Sequence, residues 1–144
     1  MQVERIDHVH VAVRDREAAA DWYSKTLGLQ RDEHLAAWAE HPNGPLILSA
    51  GDGRPALSLF AREAHEPSRD STIAFRTNGE AFLAFIDRLP ELDLTHDKGR
   101  RLAHTDIVDH KLSWSLYFID PDRNQLELTT YDYAQVRDRQ YPSP

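Results

Sequence analysis

The chain contains no cysteine among its 144 residues. This absence excludes disulfides, thiolate metal sites, iron–sulfur clusters and thiol nucleophiles. Any catalysis must therefore use histidine, carboxylate or hydroxyl groups, or a metal held by nitrogen and oxygen ligands. The eight histidines make a metal of that kind worth considering.

The sequence also lacks any apolar run close to the roughly 20 residues that a membrane span requires. Its start, MQVERIDHVHVAV, has neither the basic head nor the apolar core of a signal peptide. We therefore predict a cytoplasmic protein that does not enter a membrane.

Positive charge is scarce, with 17 Lys and Arg against 24 Asp and Glu and a net charge of −7. This balance disfavours nucleic acid as a partner, because duplex binding depends on neutralising phosphates. Hydrophobic residues make up 40% of the chain and charged residues 28%, which is ordinary for a globular protein. The chain should fold around a core of its own.

A half-buried strand is predicted near the start of the chain. Val9, Val11 and Val13 alternate with His8 and His10, the period of two that is typical of a strand. Both histidines should therefore lie on the face opposite the valines.

A helix and three short strands are predicted to follow. Asp15 can cap the helix, and Gly28 can end it. The three strand-like segments are residues 29–40, 46–50 and 56–61, separated by the turn-rich HPNGP and GDGRP.

The same order then repeats. A strand begins at Thr72, and a helix runs from 80 to 89 with Pro90 as its end. Residues 101–109 can hold a strand, and WSLYFI and NQLELTT are strands around the turn DPDRN. Aligning Thr72 with His8 brings the two helices into register.

The repeat predicts an α+β fold of two tandem βαβββ modules that form a cupped mixed sheet around a central cavity. The first module is residues 1–65 and the second 66–133. Residues 134–144 form a C-terminal tail, expected to be a loose end, and the whole is one structural domain.

The last hairpin is expected to contribute residues to a functional site. Glu127 alternates with Leu126 and Leu128, so it faces away from the apolar side, and Tyr117 should lie directly opposite it. His8 faces away from its valines in the same manner. The pseudo-repeat therefore predicts that an imidazole and a carboxylate share one cavity, an arrangement that suits a divalent metal.

With these motifs the sequence resembles the vicinal oxygen chelate superfamily, which includes glyoxalases, bleomycin-resistance proteins and extradiol dioxygenases. The opening IDHVHVAVRDREAAADWYSKTLGL matches the family pattern of His, Asp, Tyr and Leu-Gly at its usual spacing. The closing YFIDPDRNQLELTTYD matches an Asp-Pro-Asp-Gly-Asn hairpin followed by a ligand Glu. Arg123 stands where that turn has Gly, and a left-handed conformation there would cost about 1 kcal/mol.

The resemblance implies a divalent metal, Fe, Mn, Zn or Ni, with His8 and Glu127 as its ligands. Thr72 falls where most metal-binding members have a second His, and Ser58 falls near the position of a glyoxalase Glu. We assign His10, Ser58 and Thr72 to substrate binding.

A finer resemblance points to extradiol dioxygenases. Tyr117 stands ten residues before Glu127 and four before Pro121, as a tyrosine that bonds the substrate hydroxyl does in that group. His110 lies in a comparable loop. The resemblance thus makes Tyr117 and His110 the catalytic candidates. We interpret the other five histidines as surface or loop residues: His34, His41, His65, His96 and His104.

Two functions are consistent with these features. The first is a metal-dependent enzyme that chelates two neighbouring oxygens of a small organic substrate. Such an enzyme would be a dioxygenase, a lyase or an isomerase, and the sequence is nearest to the extradiol, catechol-type dioxygenases. The second is a metal-free protein of the bleomycin-resistance type that binds a drug or aromatic molecule. The resemblance also implies a homodimer.

Overall fold

A computed structural model describes residues 1–63 and 65–144 of the chain. The chain divides into two compact units, Met1–His65 and Glu66–Pro144. Each unit contains a strand, helical structure and three more strands in that order, and each forms its own four-stranded mixed sheet. The predicted α+β fold with two βαβββ modules is confirmed.

The first unit contains five main elements: β1 (Val9–Val13), α1 (Arg16–Leu27), β2 (Gln30–Arg31), β3 (Leu46–Ser49) and β4 (Pro55–Ala61). Its strand order is β1-β4-β3-β2, with β1 parallel to β4 and the other pairs antiparallel. The inner strands carry the core of this unit, because Leu48, Leu57 and Leu59 are fully buried.

Helix α1 has the predicted bounds. The Asp15 carboxylate accepts hydrogen bonds from the backbone N–H groups of Glu17 and Ala18 at 2.9 and 3.0 Å. Gly28 follows the helix with a φ of 71°, the left-handed conformation that only glycine adopts without strain. The sequence therefore predicted both ends of the helix correctly.

Two predicted strands of the first unit are shorter than expected. Residues 29–40 form only the two-residue β2 and then a 3₁₀ helix at Ala36–Glu40. The side chain of Asp32 accepts hydrogen bonds from the N–H groups of His34 and Leu35, which turns the backbone away from the sheet. At the start of the chain β1 begins at Val9, so His8 directly precedes the strand.

The second unit contains seven main elements: β5 (Ile73–Arg76), α2 (Gly79–Asp87), α3 (Leu89–Leu92), β6 (Val108–Asp109), β7 (Trp114–Ile119), β8 (Gln125–Thr130) and α4 (Tyr133–Gln140). Its strand order is β5-β8-β7-β6, with β5 parallel to β8. This is the topology of the first unit repeated. No helix among the described residues is long and apolar enough to cross a membrane.

Pro90 does not end the second helix as predicted. Helix α2 stops at Asp87, and Pro90 lies in the first turn of the short α3. Proline is tolerated there because the first turn of a helix needs no N–H donor from that residue.

The segment 134–144 is not the loose end that we expected, since α4 occupies most of it. Val136 is fully buried, and the indole N–H of Trp114 donates to the Tyr133 carbonyl at 3.1 Å. The rings of Trp114 and Tyr133 stack with centroids 5.5 Å apart. The buried valine, the aromatic stack and the indole hydrogen bond are among the contacts that hold a helix whose sequence is mostly polar.

The registers of the two parallel strand pairs agree with each other. His10 pairs with Ser58 in the first unit, and Ala74 pairs with Glu127 in the second. Ser58 is therefore the counterpart of Glu127. The registers support the alignment of Thr72 with His8, because each lies two residues before the paired position.

Arg123 has a φ of 70° in the turn between β7 and β8, the left-handed conformation that is strained in an arginine. We expect Arg123→Gly to raise the free energy of unfolding by about 0.5–1 kcal/mol, because the left-handed strain exceeds the added entropy of the unfolded glycine chain. Urea denaturation followed by circular dichroism measures this gain.

Two controls separate backbone strain from charge. Gly28→Ala introduces the same strain into the first unit, where an added Cβ meets no atom within 4 Å, and should lower stability instead. Arg123 also pairs with Glu66 at 3.0 Å, so Glu66→Gln removes the ion pair alone. The strain argument would be refuted if Arg123→Gly were only as stable as the wild type and Glu66→Gln also had the stability of the wild type.

Candidate functional site

A cavity of about 540 Å³ lies in the second unit. Four residues that the sequence predicted as functional line it: Thr72, His110, Tyr117 and Glu127. Volumes of this size accommodate small organic ligands.

Glu127 and Tyr117 are direct neighbours across the β7–β8 hairpin, which confirms the predicted register. The hydroxyl of Ser115, which is fully buried, donates to Oε1 of Glu127 at 2.6 Å and lies 3.1 Å from Oγ1 of Thr129. Glu127 itself is half-buried. One carboxylate oxygen is thus anchored to the sheet while the residue lines the cavity.

His110 and Tyr117 form a hydrogen-bonded pair. Nε2 of His110 lies 3.1 Å from the Tyr117 hydroxyl, with the rings edge to face at 6.1 Å between centroids. Tyr117 is half-buried, whereas His110 is exposed. This pair can pass a proton between the cavity and solvent.

The turn between β6 and β7 holds His110 in position. The N–H of His110 donates to the Ser113 carbonyl at 3.0 Å, and the N–H of Lys111 donates to the Asp109 carboxylate at 2.7 Å. That backbone donor, with the Tyr133 hydroxyl as a further donor at 2.9 Å, holds the pKa of Asp109 below its ordinary value.

The remaining predicted residues lie in the first unit. Nε2 of His8 is 3.2 Å from Nε2 of His10, and the two rings stack at 5.2 Å. Nδ1 of His8 is 2.7 Å from Oδ2 of Asp7, and this hydrogen bond lowers the pKa of the Asp7 carboxyl. Ser58, the strand partner of His10, is 1% exposed, and its hydroxyl has no hydrogen-bond partner among the described residues. The predicted pairing of His8 with Glu127 stays a prediction.

Sequence reasoning missed other residues of the cavity. His96, which we interpreted as a surface or loop residue, is half-buried and lines the cavity. Gln125 lines it too, is only 6% exposed, and its Oε1 has no hydrogen-bond partner in the described part of the chain. Its place two residues before Glu127 on β8 was an available signal, because such residues share a face.

An ion pair in the cavity wall was also missed. The Arg100 guanidinium donates to both carboxylate oxygens of Asp106 at 2.9 and 2.7 Å. Since the two charges cancel, this part of the wall is not strongly cationic.

The same pair makes the stability of the second unit depend on pH. The hydrogen bonds from Arg100 lower the pKa of Asp106 below its ordinary value of 3.8, so the ionised form is favoured in the folded chain. This stabilisation is fully present at pH values above the ordinary pKa. It is lost as the pH falls through the lowered pKa of Asp106 in the folded chain. Asp106→Asn should therefore be less stable than the wild type near neutral pH, and the difference should close in acid.

Urea denaturation between about pH 3 and pH 7 tests the Asp106 prediction. Asp138→Asn, at an exposed aspartate, controls for the loss of one negative charge. A stability difference between Asp106→Asn and the wild type that stayed constant with pH would contradict the prediction.

The residues fit a divalent metal only in part. The imidazole of His8 and the carboxylate of Glu127 are suitable donors, but the hydroxyl of Thr72 is a poor substitute for a second imidazole. Among residues 1–63 and 65–144, no three His, Asp or Glu side chains are grouped to hold a metal ion.

The fold is that of two βαβββ modules, and the second module has a cavity lined by a hydrogen-bonded histidine and tyrosine. The model of the Glyoxalase/Bleomycin resistance protein/Dioxygenase superfamily matches residues 5–128, and the chain belongs to this superfamily. Members commonly use divalent metals and bind small-molecule substrates. Among curated proteins, none matches the chain significantly.

Several solved structures have the same fold. Oxidase ChaP-H2 is 26% identical, covering 94% of this chain and 99% of that chain with a TM-score of 0.65. Fosfomycin resistance protein FosX from Mesorhizobium loti is 20% identical, with coverage of 88% and 91% and a TM-score of 0.62. A glyoxalase/dioxygenase from Nostoc punctiforme is 18% identical, with coverage of 89% and 91% and a TM-score of 0.64.

Proposed function

We propose that the chain is an enzyme that acts on a small organic substrate with two neighbouring oxygens, nearest to the extradiol, catechol-type dioxygenases. The observation that carries this proposal is the hydrogen bond between His110 and Tyr117 beside Glu127 in one cavity. The likeness to oxidase ChaP-H2 supports an oxidative reaction over an isomerisation.

Tyr117 and His110 have complementary roles in this proposal. The phenol hydroxyl of Tyr117 hydrogen bonds a substrate oxygen, and the imidazole of His110 accepts or returns a proton through it. His110 is exposed and can exchange that proton with water.

Gln125 supplies an acceptor for the substrate. Its buried Oε1 has no partner among the described residues, so a substrate hydroxyl that donates to it satisfies a group otherwise left unpaired. Together with the neutralised Arg100–Asp106 pair, this favours an uncharged, hydroxyl-bearing substrate over a strongly anionic one.

A divalent metal remains part of the proposal, with His8 and Glu127 as the ligands that the resemblance assigns. Such a metal would act as a Lewis acid on the two neighbouring oxygens of the substrate. His10, Ser58 and Thr72 remain proposed substrate-binding residues, and a homodimer in the cytoplasm remains the proposed state of the protein.

A second candidate is a metal-free protein that binds a drug or aromatic molecule, as the bleomycin-resistance branch does. Thr72 is the specific observation in its favour, because it removes one imidazole from the family's ligand set. The cavity of the second unit suits such a ligand as well as a substrate.

Metal analysis and oxygen uptake separate the two functions. Tag-free protein purified without chelators should contain near-stoichiometric Fe, Mn, Zn or Ni. It should consume oxygen with catechols when the metal is Fe or Mn, because Zn²⁺ has no redox chemistry. The matched control is the same catechol methylated on one oxygen, which cannot present two free hydroxyls and should not react. Metal-free protein that binds both compounds equally without turnover would favour the binding protein and overturn the enzyme.

A further inference from the structure

We infer that Tyr133, at the start of α4, is a positioning residue that acts through Asp109 to hold His110 beside the cavity. The role of His110 in a reaction rests on the proposed function, whereas its placement by Tyr133 does not. The inference gives the C-terminal helix a part in the site of the second unit, besides its packing on the core.

The turn that carries His110 is strained. Lys111, the next residue, has a φ of 71°, the left-handed conformation that side chains other than glycine disfavour. The Asp109 carboxylate offsets this strain, because its Oδ1 accepts the Lys111 N–H at 2.7 Å. The direction in which His110 leaves the turn therefore depends on how firmly the Asp109 side chain is held.

Tyr133 holds that side chain from outside the turn. Its hydroxyl donates to Oδ2 of Asp109 at 2.9 Å, so the two carboxylate oxygens accept from two different elements, the turn and α4. The Lys111 ammonium lies 3.5 Å from Oδ2, but its side chain is 83% exposed, and an exposed ion pair of this kind adds little. Tyr133 is thus the stronger constraint on Asp109 from beyond the turn.

Tyr133 is itself fixed by a rigid neighbour. Its ring stacks on Trp114 at 5.5 Å between centroids and 18° between planes, and its carbonyl accepts the indole N–H at 3.1 Å. Trp114 is only 2% exposed and is the partner of Asp109 across β6 and β7. The contacts from Trp114 to Tyr133, from Tyr133 to Asp109 and from Asp109 back to Trp114 therefore form a closed set, which suits precise positioning.

The turn sets the distance between His110 and Tyr117. Tyr117 lies within β7, whereas His110 lies on the turn before that strand, and its Nε2 is 3.1 Å from the Tyr117 hydroxyl. A shift of the turn by about 1 Å would lengthen this contact beyond hydrogen-bond distance. Misplacements of that size cost up to about 100-fold in rate.

Tyr133→Phe tests the inference, because it removes the hydroxyl and keeps both the ring stack and the carbonyl. The readout is the imidazole ¹⁵N spectrum of tag-free, full-length protein, with the His110 signals assigned by their loss in His110→Gln. These signals should move in the direction that Tyr117→Phe moves them. On the catechol-type substrate kcat should fall about 10-fold, with KM changed less than about 2-fold.

Two controls and a double variant isolate the route. Tyr141→Phe removes a hydroxyl from another ring near Trp114, at a residue that is 69% exposed, and Lys111→Gln removes the exposed ion pair. Neither should move the His110 signals. Asp109→Ala should move them, and adding Tyr133→Phe to it should have no further effect, because both substitutions break one chain of contacts.

The outcomes separate this inference from the proposed function. Unchanged His110 signals in Tyr133→Phe overturn the inference, whatever happens to kcat. Additive shifts in the double variant overturn the route through Asp109. Signals that move as expected, in a protein without oxygen uptake or with an unchanged kcat, support the positioning and count against the proposed role of His110 in the reaction.

Discussion

Tyr117→Phe should lower kcat on the catechol-type substrate by about 10²–10⁴-fold, the usual contribution of a positioned acid–base group. The substitution removes one oxygen and leaves the ring in the cavity wall. His110 loses the hydroxyl that lies 3.1 Å from its Nε2, so the proposed proton path is interrupted. KM should change less than kcat, because the substrate loses one hydrogen bond of about 0.5–1.5 kcal/mol while the cavity keeps its shape.

Steady-state oxygen uptake across a range of pH measures this loss. Tyr131→Phe is the matched control, because Tyr131 is 59% exposed and lies outside the cavity lining. His110→Gln should reduce kcat as well and alter the pH profile. An unchanged kcat in Tyr117→Phe, with normal circular dichroism, would show that the phenol takes no part in the reaction.

The β7–β8 hairpin shows what local sequence can predict. Alternation of Leu126 and Leu128 with Glu127 assigns the faces, and the Pro-containing turn sets the centre of the hairpin. These two signals together predicted that Tyr117 lies opposite Glu127, as observed. Helix α1 was predictable for a similar reason, since its cap and its terminal glycine are both local.

Residues 92–111 show where such reasoning fails. Leu94 and Leu102 are both buried, but they are isolated apolar residues without a period. The segment is organised by long-range pairing, in which Thr95 bridges both Arg101 and Ile119. Because no local pattern encodes these bridges, the placement of His96 and Arg100 in the cavity wall could not be predicted.

The pair of His8 and His10 falls between these cases. Alternation predicted that His8 and His10 share a face, but it does not fix the rotamers that bring their Nε2 atoms to 3.2 Å. Nor does it show that Asp7 bonds His8 rather than water. The shared face of the two histidines could thus be predicted from the sequence, whereas the pairing of their atoms needed the structure.

Trp114→Ala should cause the largest loss of stability, about 3–5 kcal/mol, the usual range for removing a buried tryptophan. Trp114 is 2% exposed, and its ring stacks on Tyr133 and approaches Tyr141 at 6.5 Å between centroids. Its indole N–H also donates to the Tyr133 carbonyl at the start of α4. The substitution therefore leaves a cavity at the start of β7 and removes an anchor of the C-terminal helix.

Urea denaturation measures the loss in Trp114→Ala, and limited trypsin digestion reports on α4, which contains Arg137 and Arg139. Trp114→Phe retains an aromatic ring but not the N–H donor, so it should lose less stability and still release α4 to trypsin faster than the wild type. Stability should therefore decrease from the wild type to Trp114→Phe to Trp114→Ala. The first substitution loses mainly the hydrogen bond, whereas the second loses the hydrogen bond and also leaves a cavity. If trypsin cleaved all three proteins at one rate, Trp114 would stabilise the core of the second unit without anchoring the helix.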